Sequence, residues 1–175
     1  MINNNFKKIL KCLFTYTNTN LNALKLIGLN GTEIRENWDD FYILQYLNTS
    51  LNTIINSGRY GISSDVLGGV CMGFGAGSKQ VSLEDYNLET IINNLSYQSS
   101  SVETTEEGYT VITSAKNNTS TDIIVSEVGI FCRGQSRHSG VDFESRPFML
   151  TRNVLETPIT IKPNETKTFT VTINF

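Results

Sequence analysis

The amino-acid sequence predicts a mainly β protein, an antiparallel β-sandwich of jelly-roll-like or immunoglobulin-like kind with a smaller helical N-terminal part. Three observations predict it. From Val66 onward apolar residues alternate with polar or small ones at period two, the spacing of a strand with one buried face. The apolar runs are short, and turn-forming clusters separate them: Lys116-Asn117-Asn118-Thr119, Arg133-Gly134 and Lys162-Pro163-Asn164-Glu165. After residue 90 no helical pattern intervenes, so strand follows strand, as in an antiparallel sandwich or barrel. The 175 residues, 39% of them hydrophobic, suffice for one core. We divide them into residues 1–62, a helical and hairpin region, and residues 63–175, the sandwich.

Taken in order, Phe6, Ile9, Leu10, Leu13 and Phe14 recur at helical spacing with Lys7, Lys8 and Lys11 on the other side. This short amphipathic helix either packs on its own domain or serves as an arm docking on a neighbouring subunit. Tyr16 to Asn22 is polar and reads as a linker or turn. Asn30-Gly31 is a hairpin-turn signal, with Leu24, Leu26 and Ile34 on the apolar face of the hairpin. Leu44, Leu47, Leu51, Ile54 and Ile55 form a helical stripe, predicting a helix over Asp40 to Asn56 that Asp39 or Asp40 caps. Val70, Met72 and Phe74 then alternate with small residues as a strand, ending in the turn Gly73-Phe74-Gly75-Ala76-Gly77-Ser78, whose glycines are expected at positive φ. Ser82 with Asp85 three residues on reads as a capped helical turn. Strands are expected over Ile91 to Gln98, Tyr109 to Ala115, Ile123 to Phe131, Phe148 to Val154, Ile159 to Ile161 and Thr166 to Phe175. Residues 132 to 147 are expected to be a long inserted loop.

Composition excludes some classes. The formal charge is −3, from 14 basic and 17 acidic residues, which gives no general attraction to nucleic acid or an anionic membrane. Asn, Ser and Thr number 19, 16 and 20, while charged residues are only 18%. Either an AT-rich genome or a surface that sits beside copies of itself without repulsion accounts for this. Cys12, Cys71 and Cys132 have neither paired nor metal-ligand spacing, so buried thiols are expected. No apolar run reaches the ~20 residues that span a bilayer. Ile2-Asn3-Asn4-Asn5 and three lysines interrupt the N-terminal apolar patch, so no signal peptide is expected, and the chain is expected to be made and kept in a cytoplasm until assembly.

No catalytic residue, cofactor site or metal site is predicted. The one histidine, His138, lies in the polar stretch Gly134 to Gly140, and no GxSxG or HExxH is present. Gly73 to Lys79 fails the phosphate-loop spacing, because Lys79 follows Ser78 and no Ser or Thr comes next. The acidic groups at Asp39-Asp40, Glu84-Asp85, Glu106-Glu107 and Asp142 with Glu144 are dispersed and read as solvated turns and caps. A histidine-rich metal site is excluded by count; a carboxylate site for calcium is not. Tyr60, Tyr86, Tyr97 and Tyr109 read as core or interface anchors, or as a face that stacks on sugars. Arg133, Arg137, Arg146 and Arg152 cluster in sequence near the expected loop, where they would meet an acidic partner or a neighbouring subunit. One feature is specific. Glu127 stands in an otherwise apolar strand, and a buried carboxylate needs a partner. Arg152 in the next strand is the candidate, so Glu127 and Arg152 are predicted to form a structural ion pair.

Several pieces in fixed order carry a resemblance. Val70-Cys71-Met72-Gly73-Phe74-Gly75-Ala76-Gly77 is followed by Glu84-Asp85-Tyr86-Asn87-Leu88-Glu89, then by Ile124-Val125-Ser126-Glu127-Val128-Gly129-Ile130-Phe131. Met149 to Leu155, Thr157 to Thr166 and Phe169 to Phe175 complete the set. Over about the last 105 residues the chain resembles a virion structural module of tailed phages, of the tail, neck or fibre type. Pro163-Asn164-Glu165 stands where such modules often have Pro-Gly, and Asn also tolerates the left-handed turn. The resemblance implies a β-sandwich that assembles in rings or trimers within a virion, put together in the host cytoplasm. Expected partners are other copies of itself and other virion proteins, namely tail, portal or connector, or fibre components. Residues 1–62 are expected to make the contacts between subunits. Neither nucleic acid nor membrane is expected as a partner. The alternative is a receptor- or carbohydrate-binding module on a fibre or spike.

Overall fold

The computed structural model describes residues 1–8, 27–33, 72–105, 108–138 and 141–174. Among them run six strands: β1 (Met72–Gly75), β2 (Leu95–Thr105), β3 (Gly108–Asn117), β4 (Ile123–His138), β5 (Val141–Ile161) and β6 (Thr166–Asn174). They form two antiparallel three-stranded sheets, ordered β1-β4-β5 and β2-β3-β6. The chain therefore makes a hairpin in each sheet and passes from one sheet to the other three times. The described part is mainly β; residues 4–8 form a single helical turn. No described helix is long and apolar enough to cross a membrane. The expected helix over Asp40 to Asn56 lies outside the described residues, as do Ile9 to Phe14, Leu24, Leu26, Ile34, Tyr60, Cys12 and Cys71.

Period-two patterning builds the second sheet as expected. In β6, Phe169, Val171 and Ile173 are buried while Thr168, Thr170, Thr172 and Asn174 are exposed. In β3, Val111, Thr113 and Ala115 are buried. The apolar faces of the two sheets share one core. Phe74 of β1 has its ring 4.5 Å from that of Phe169 and 5.7 Å from that of Tyr97, so one side chain touches both outer strands of the other sheet.

In β4 the alternation gives way to a continuous buried run from Val125 to Phe131. A strand covered on one face shows period two, whereas one covered on both faces does not. The second cover comes from the long connection between β1 and β2 and from residues 1–8. A β-carbon on Gly129 would stand 3.0 Å from Leu88 of that connection. Residues 1–3 add to the outer edge of β5, where Ile2 bridges Thr151 and Asn3 donates its N–H to the Leu150 carbonyl. Phe6 is buried in the core. Of the two roles foreseen for the N-terminal helix, residues 1–8 take packing on their own chain.

Three expectations need correction. Residues 132 to 147 are not a loop: β4 and β5 stay paired from Cys132↔Phe148 out to His138↔Val141. Their polar composition looks like loop, but strand pairing is decided across the ladder as well as along the chain. The strand expected over Ile91 to Gln98 begins at Leu95 instead and runs on to Thr105, with a bulge between Tyr97 and Ser99. Ile91 and Ile92 only brush β1, through a bridge to Gly75 and an N–H to the Phe74 carbonyl. The two strands expected over 148–154 and 159–161 are one, because Leu155 to Pro158 is taken up as a bulge between Glu127↔Val154 and Val125↔Ile159. Pro158 suits a bulge, where no ladder N–H is required.

Turn chemistry explains the ends of the strands. Asn164 adopts φ 62°, the left-handed conformation foreseen for it, in a turn closed by Glu165 N–H to the Lys162 carbonyl. Gly31 has φ 78° in the Asn30-Gly31 turn, between bridge partners Ile27 and Glu33. Buried Asn117 organises the β3–β4 connection. Its amide N–H groups reach the carbonyls of Thr121 and Ile161 at 2.7 and 2.8 Å, and its oxygen accepts from Thr119 N–H and Oγ1.

The shared core sets the first expected outcome. Phe74 is 0% exposed, so Phe74→Ala should cost about 3–5 kcal/mol in urea denaturation. Ile124, 55% exposed on the neighbouring strand, should tolerate Ile124→Thr within about 0.5 kcal/mol. Comparable losses would mean that the two sheets do not meet at Phe74.

Candidate functional site

The densest gathering of ionisable groups is built around Arg152. Arg152 on β5 lies opposite Gly129 on β4. With no side chain opposite, the guanidinium lies across the ladder toward Glu127, two residues along β4 and on the same face. Arg152 Nε donates to Glu127 Oε2 at 2.6 Å. Both side chains are removed from solvent, at 2% and 0% exposure. The structure thus brings together the two residues that the sequence singled out.

It also adds partners that the sequence did not reveal. Arg152 Nη1 donates to Asp85 Oδ2 at 3.0 Å, and Nη2 stands 3.6 Å from Glu89 Oε2, an ion-pair separation without a hydrogen bond. The carboxylates in turn bind backbone. Glu127 Oε1 accepts the N–H groups of Gly77 and Thr90 at 3.0 and 2.9 Å, and Oε2 that of Glu89 at 3.2 Å. Glu89 Oε2 accepts from Ser78 and Lys79, each at 2.8 Å. Asp85 Oδ2 accepts from Ser82 N–H at 2.9 Å, closing a plain turn at residues 83–84 where a capped helical turn was expected. Three carboxylates therefore clamp the irregular connection 76–94 onto the sheet, with Arg152 between them.

Burial by itself lowers the affinity of Arg152 for its proton, but hydrogen bonds to Glu127 and Asp85 and their charges outweigh it and raise the pKa above its ordinary value. The Glu89 carboxyl is held below the usual range, chiefly by the Lys79 N–H and then by that of Ser78 and the nearby Arg152 charge.

The clamp also gives the glycine-rich segment its role. A β-carbon at Gly75 would collide with the Glu127 carboxylate and the Thr90 carbonyl, and one at Gly77 would come within 2.5 Å of Glu127 Oε1. Neither glycine has positive φ, contrary to expectation. They are small because Glu127 occupies the space.

The N-terminal asparagines complete the cluster. Met1 and Arg152 exchange backbone hydrogen bonds. Asn3 donates to the carbonyls of Met149 and Asp85, and its Oδ1 caps the helical turn by accepting from Phe6 N–H. Asn4 reaches Glu84 and Leu83, while Asn5 grips both backbone groups of Ile27. Asn87 donates to the Leu29 carbonyl, and the Tyr86 ring fills the space beside Gly31. Segments 1–8, 27–33 and 76–91 so converge on one face of the first sheet.

The remaining candidates do not converge. Tyr97 stacks inward on Phe74, and burial pushes its hydroxyl up to about 12. Tyr86 is part of the hairpin contact, so these two form no common sugar-stacking face. Glu84 and Asp85 are engaged with Asn4 and Arg152. Arg152 is parted from Arg133, Arg137 and Arg146, which lie with His138 on the extended β4–β5 pair. Among the described residues no group of three His, Cys, Asp or Glu side chains is arranged to hold a metal; the cation amid Asp85, Glu89 and Glu127 is the arginine. Comparison with protein-family models, with curated proteins and with solved structures finds no match.

Chemically the arrangement is a clamp. Glu127→Ala leaves a buried guanidinium short of its nearest partner and frees three N–H groups, and should cost about 3–5 kcal/mol by denaturation; an unchanged melting curve would refute the clamp. Acid should loosen it locally. Because Glu89 has a folded pKa below its ordinary 4.5, its contribution is complete above that value and is lost as pH falls through the folded pKa. Amide exchange at Ser78 and Lys79, corrected for intrinsic rates, should show protection that persists down to about pH 4.5 and drops below it. Glu89→Gln should lose that protection already at neutral pH, and protection indifferent to both changes would contradict the assignment.

Proposed function

We propose that the chain is a structural component of a tailed-phage virion, part of the tail, neck or connector, that acts by assembling with copies of itself and with other virion proteins. The observation that carries the non-enzymatic part is how the ionisable residues are used. Arg152, Glu127, Asp85 and Glu89 hold backbone and one another, with Arg152 and Glu127 removed from solvent and Glu89 at the 41% exposed rim. Such a clamp stiffens a scaffold. The phage assignment rests on the ordered sequence pieces that resemble virion modules.

On this reading the two sheets are the layers of an antiparallel sandwich of jelly-roll-like or immunoglobulin-like kind. The Phe74–Phe169 contact and the three crossings between sheets support it. A surface rich in Thr, Ser and Asn suits a subunit packed beside its own copies, because few like charges must be brought together.

Mass and symmetry test the proposal. Purified protein in analytical ultracentrifugation and negative-stain imaging should form a closed ring of roughly six or twelve copies. A trimer would point instead to a fibre module. A monomer at all concentrations, with or without co-expressed virion proteins, would overturn it.

A further inference from the structure

Residues 1–6 are held as a bound peptide is held. Outside the helical turn and its cap, the hydrogen bonds of Asn3, Asn4 and Asn5 all reach partners 22 or more residues away along the chain. The backbone adds to the outer edge of β5. Arg152 N–H donates to the Met1 carbonyl at 3.2 Å, and Asn3 N–H to the Leu150 carbonyl at 3.0 Å. Residues 82–85 form a second wall: the Leu83 carbonyl accepts from Asn4 N–H at 2.9 Å, and Glu84 Oε1 from the Asn4 amide at 2.7 Å. The hairpin of residues 27–33 is the third wall, joined to Asn5 through Ile27.

In strand addition, main-chain bonds to the sheet edge supply affinity and side-chain contacts supply specificity. Asn3 and Asn5 are buried here, at 1% and 3% exposure. Asn3 directs its amide N–H groups at two carbonyls, those of Met149 at 2.7 Å and Asp85 at 3.0 Å. A carboxylate in its place would meet only acceptors. Asn5 presents an acceptor to the Ile27 N–H and a donor to the Ile27 carbonyl, each at 2.8 Å, as a neighbouring strand would. Aspartate there would lack the donor. Phe6, 1% exposed, is the apolar anchor, and Lys7 beyond it is exposed. A segment that only covered the sheet edge would bury apolar side chains. This one is read through buried amides, which are costly wherever they are unmatched.

Each wall of the cleft is also fixed by bonds that do not involve the segment. β5 is paired with β4 along its length. Residues 82–85 are tied to β5 by the Arg152–Asp85 ion pair at 3.0 Å, and their turn is closed by Ser82 N–H to Asp85 Oδ2. The hairpin is tied to the connection by Asn87, which donates to the Leu29 carbonyl at 3.0 Å, and by the Tyr86 ring against Gly31. The cleft therefore has a framework that persists when the segment leaves it.

We propose that the cleft between the β5 edge, residues 82–85 and the 27–33 hairpin is a peptide-binding site with residues 1–6 as its tethered ligand. The partner it fits is an extended segment of another polypeptide with the pattern Asn-x-Asn-Phe, which enters when the tethered segment is out. Tethering gives the chain's own segment a high effective concentration, so the resident ligand keeps the site closed to weaker competitors. The site stands independently of the virion reading.

The full chain carrying Asn3→Asp with Asn5→Asp tests it, because its own segment should no longer hold the cleft. A labelled peptide Met-Ile-Asn-Asn-Asn-Phe-Lys-Lys, followed by fluorescence anisotropy, should bind this variant one to one. It should bind wild type, whose cleft is filled, at least about tenfold more weakly. The same peptide with aspartate at its third position should bind the variant about 10- to 100-fold more weakly than the asparagine peptide. No binding to a variant with an unchanged circular dichroism spectrum, or equal binding of the two peptides, overturns the proposal. Should the variant fail to fold, a protease site inserted between Asn18 and Thr19 of the otherwise wild-type chain decides. After folding and cutting, the N-terminal fragment should stay with the remainder through gel filtration and be displaced by excess asparagine peptide but not by the aspartate peptide. A fragment that departs on cutting, or that neither peptide displaces, refutes the site.

Discussion

The fold depends on a buried charge that must be neutralised. Arg152 sits in the interior, and the desolvation of a guanidinium is tolerable only with good geometry and satisfied donors. Glu127 supplies the nearest countercharge and Asp85 the next. Each carboxylate has acceptor capacity beyond what arginine uses, and the excess is taken by backbone N–H groups of the connection 76–91. An irregular segment with few ladder bonds of its own is in this way given defined partners. The arrangement then dictates small residues at Gly75 and Gly77, and it fixes the platform on which Asn3, Asn4 and Asn5 dock.

The division of labour between the two sheets follows from this. The β2-β3-β6 sheet is held by ordinary alternation, with apolar residues inside and hydroxyls outside; Ser114 and Thr168, and Thr110 and Thr172, pair across its outer face. The β1-β4-β5 sheet is covered on both faces along the centre of β4 and bears the clamp. Stability near Phe74 is therefore a matter of packing, and stability near Arg152 one of electrostatics and hydrogen bonding. Among the described residues, the lateral opening between β5 and β6 is where neither mechanism closes the structure.

What could be read in the sequence was what depends on local period and on anomaly. The alternation in Phe169-Thr170-Val171-Thr172-Ile173 shows which face is buried before any partner is known, and Asn164 announces its turn. Glu127 stood out because a carboxylate interrupts an apolar run, and that anomaly pointed to Arg152. What was illegible depends on partners far along the chain. Asp85 and Glu89 look like solvated turn residues until Arg152 is placed beside them. Asn3 and Asn5 look like a polar start until the Met149 carbonyl, 146 and 144 residues away, is seen to accept from both. The Arg/Ser-rich stretch before and after His138 reads as loop because its pairing is contributed by the opposite strand. Glycine was read as conformational freedom at Gly75 and Gly77, where it is absence of volume.

The most direct measurement of this account is a double-mutant cycle between Glu127→Gln and Arg152→Met, with stability taken from urea denaturation of the four proteins. If the pair is the constraint on which the connection 76–91 depends, each single change leaves an uncompensated buried group, and removing both recovers part of the loss. The coupling should then be large, about 2–3 kcal/mol, at the upper end of the range for contacting residues. Additivity within about 0.5 kcal/mol would show that Arg152 and Glu127 act independently and would contradict the account.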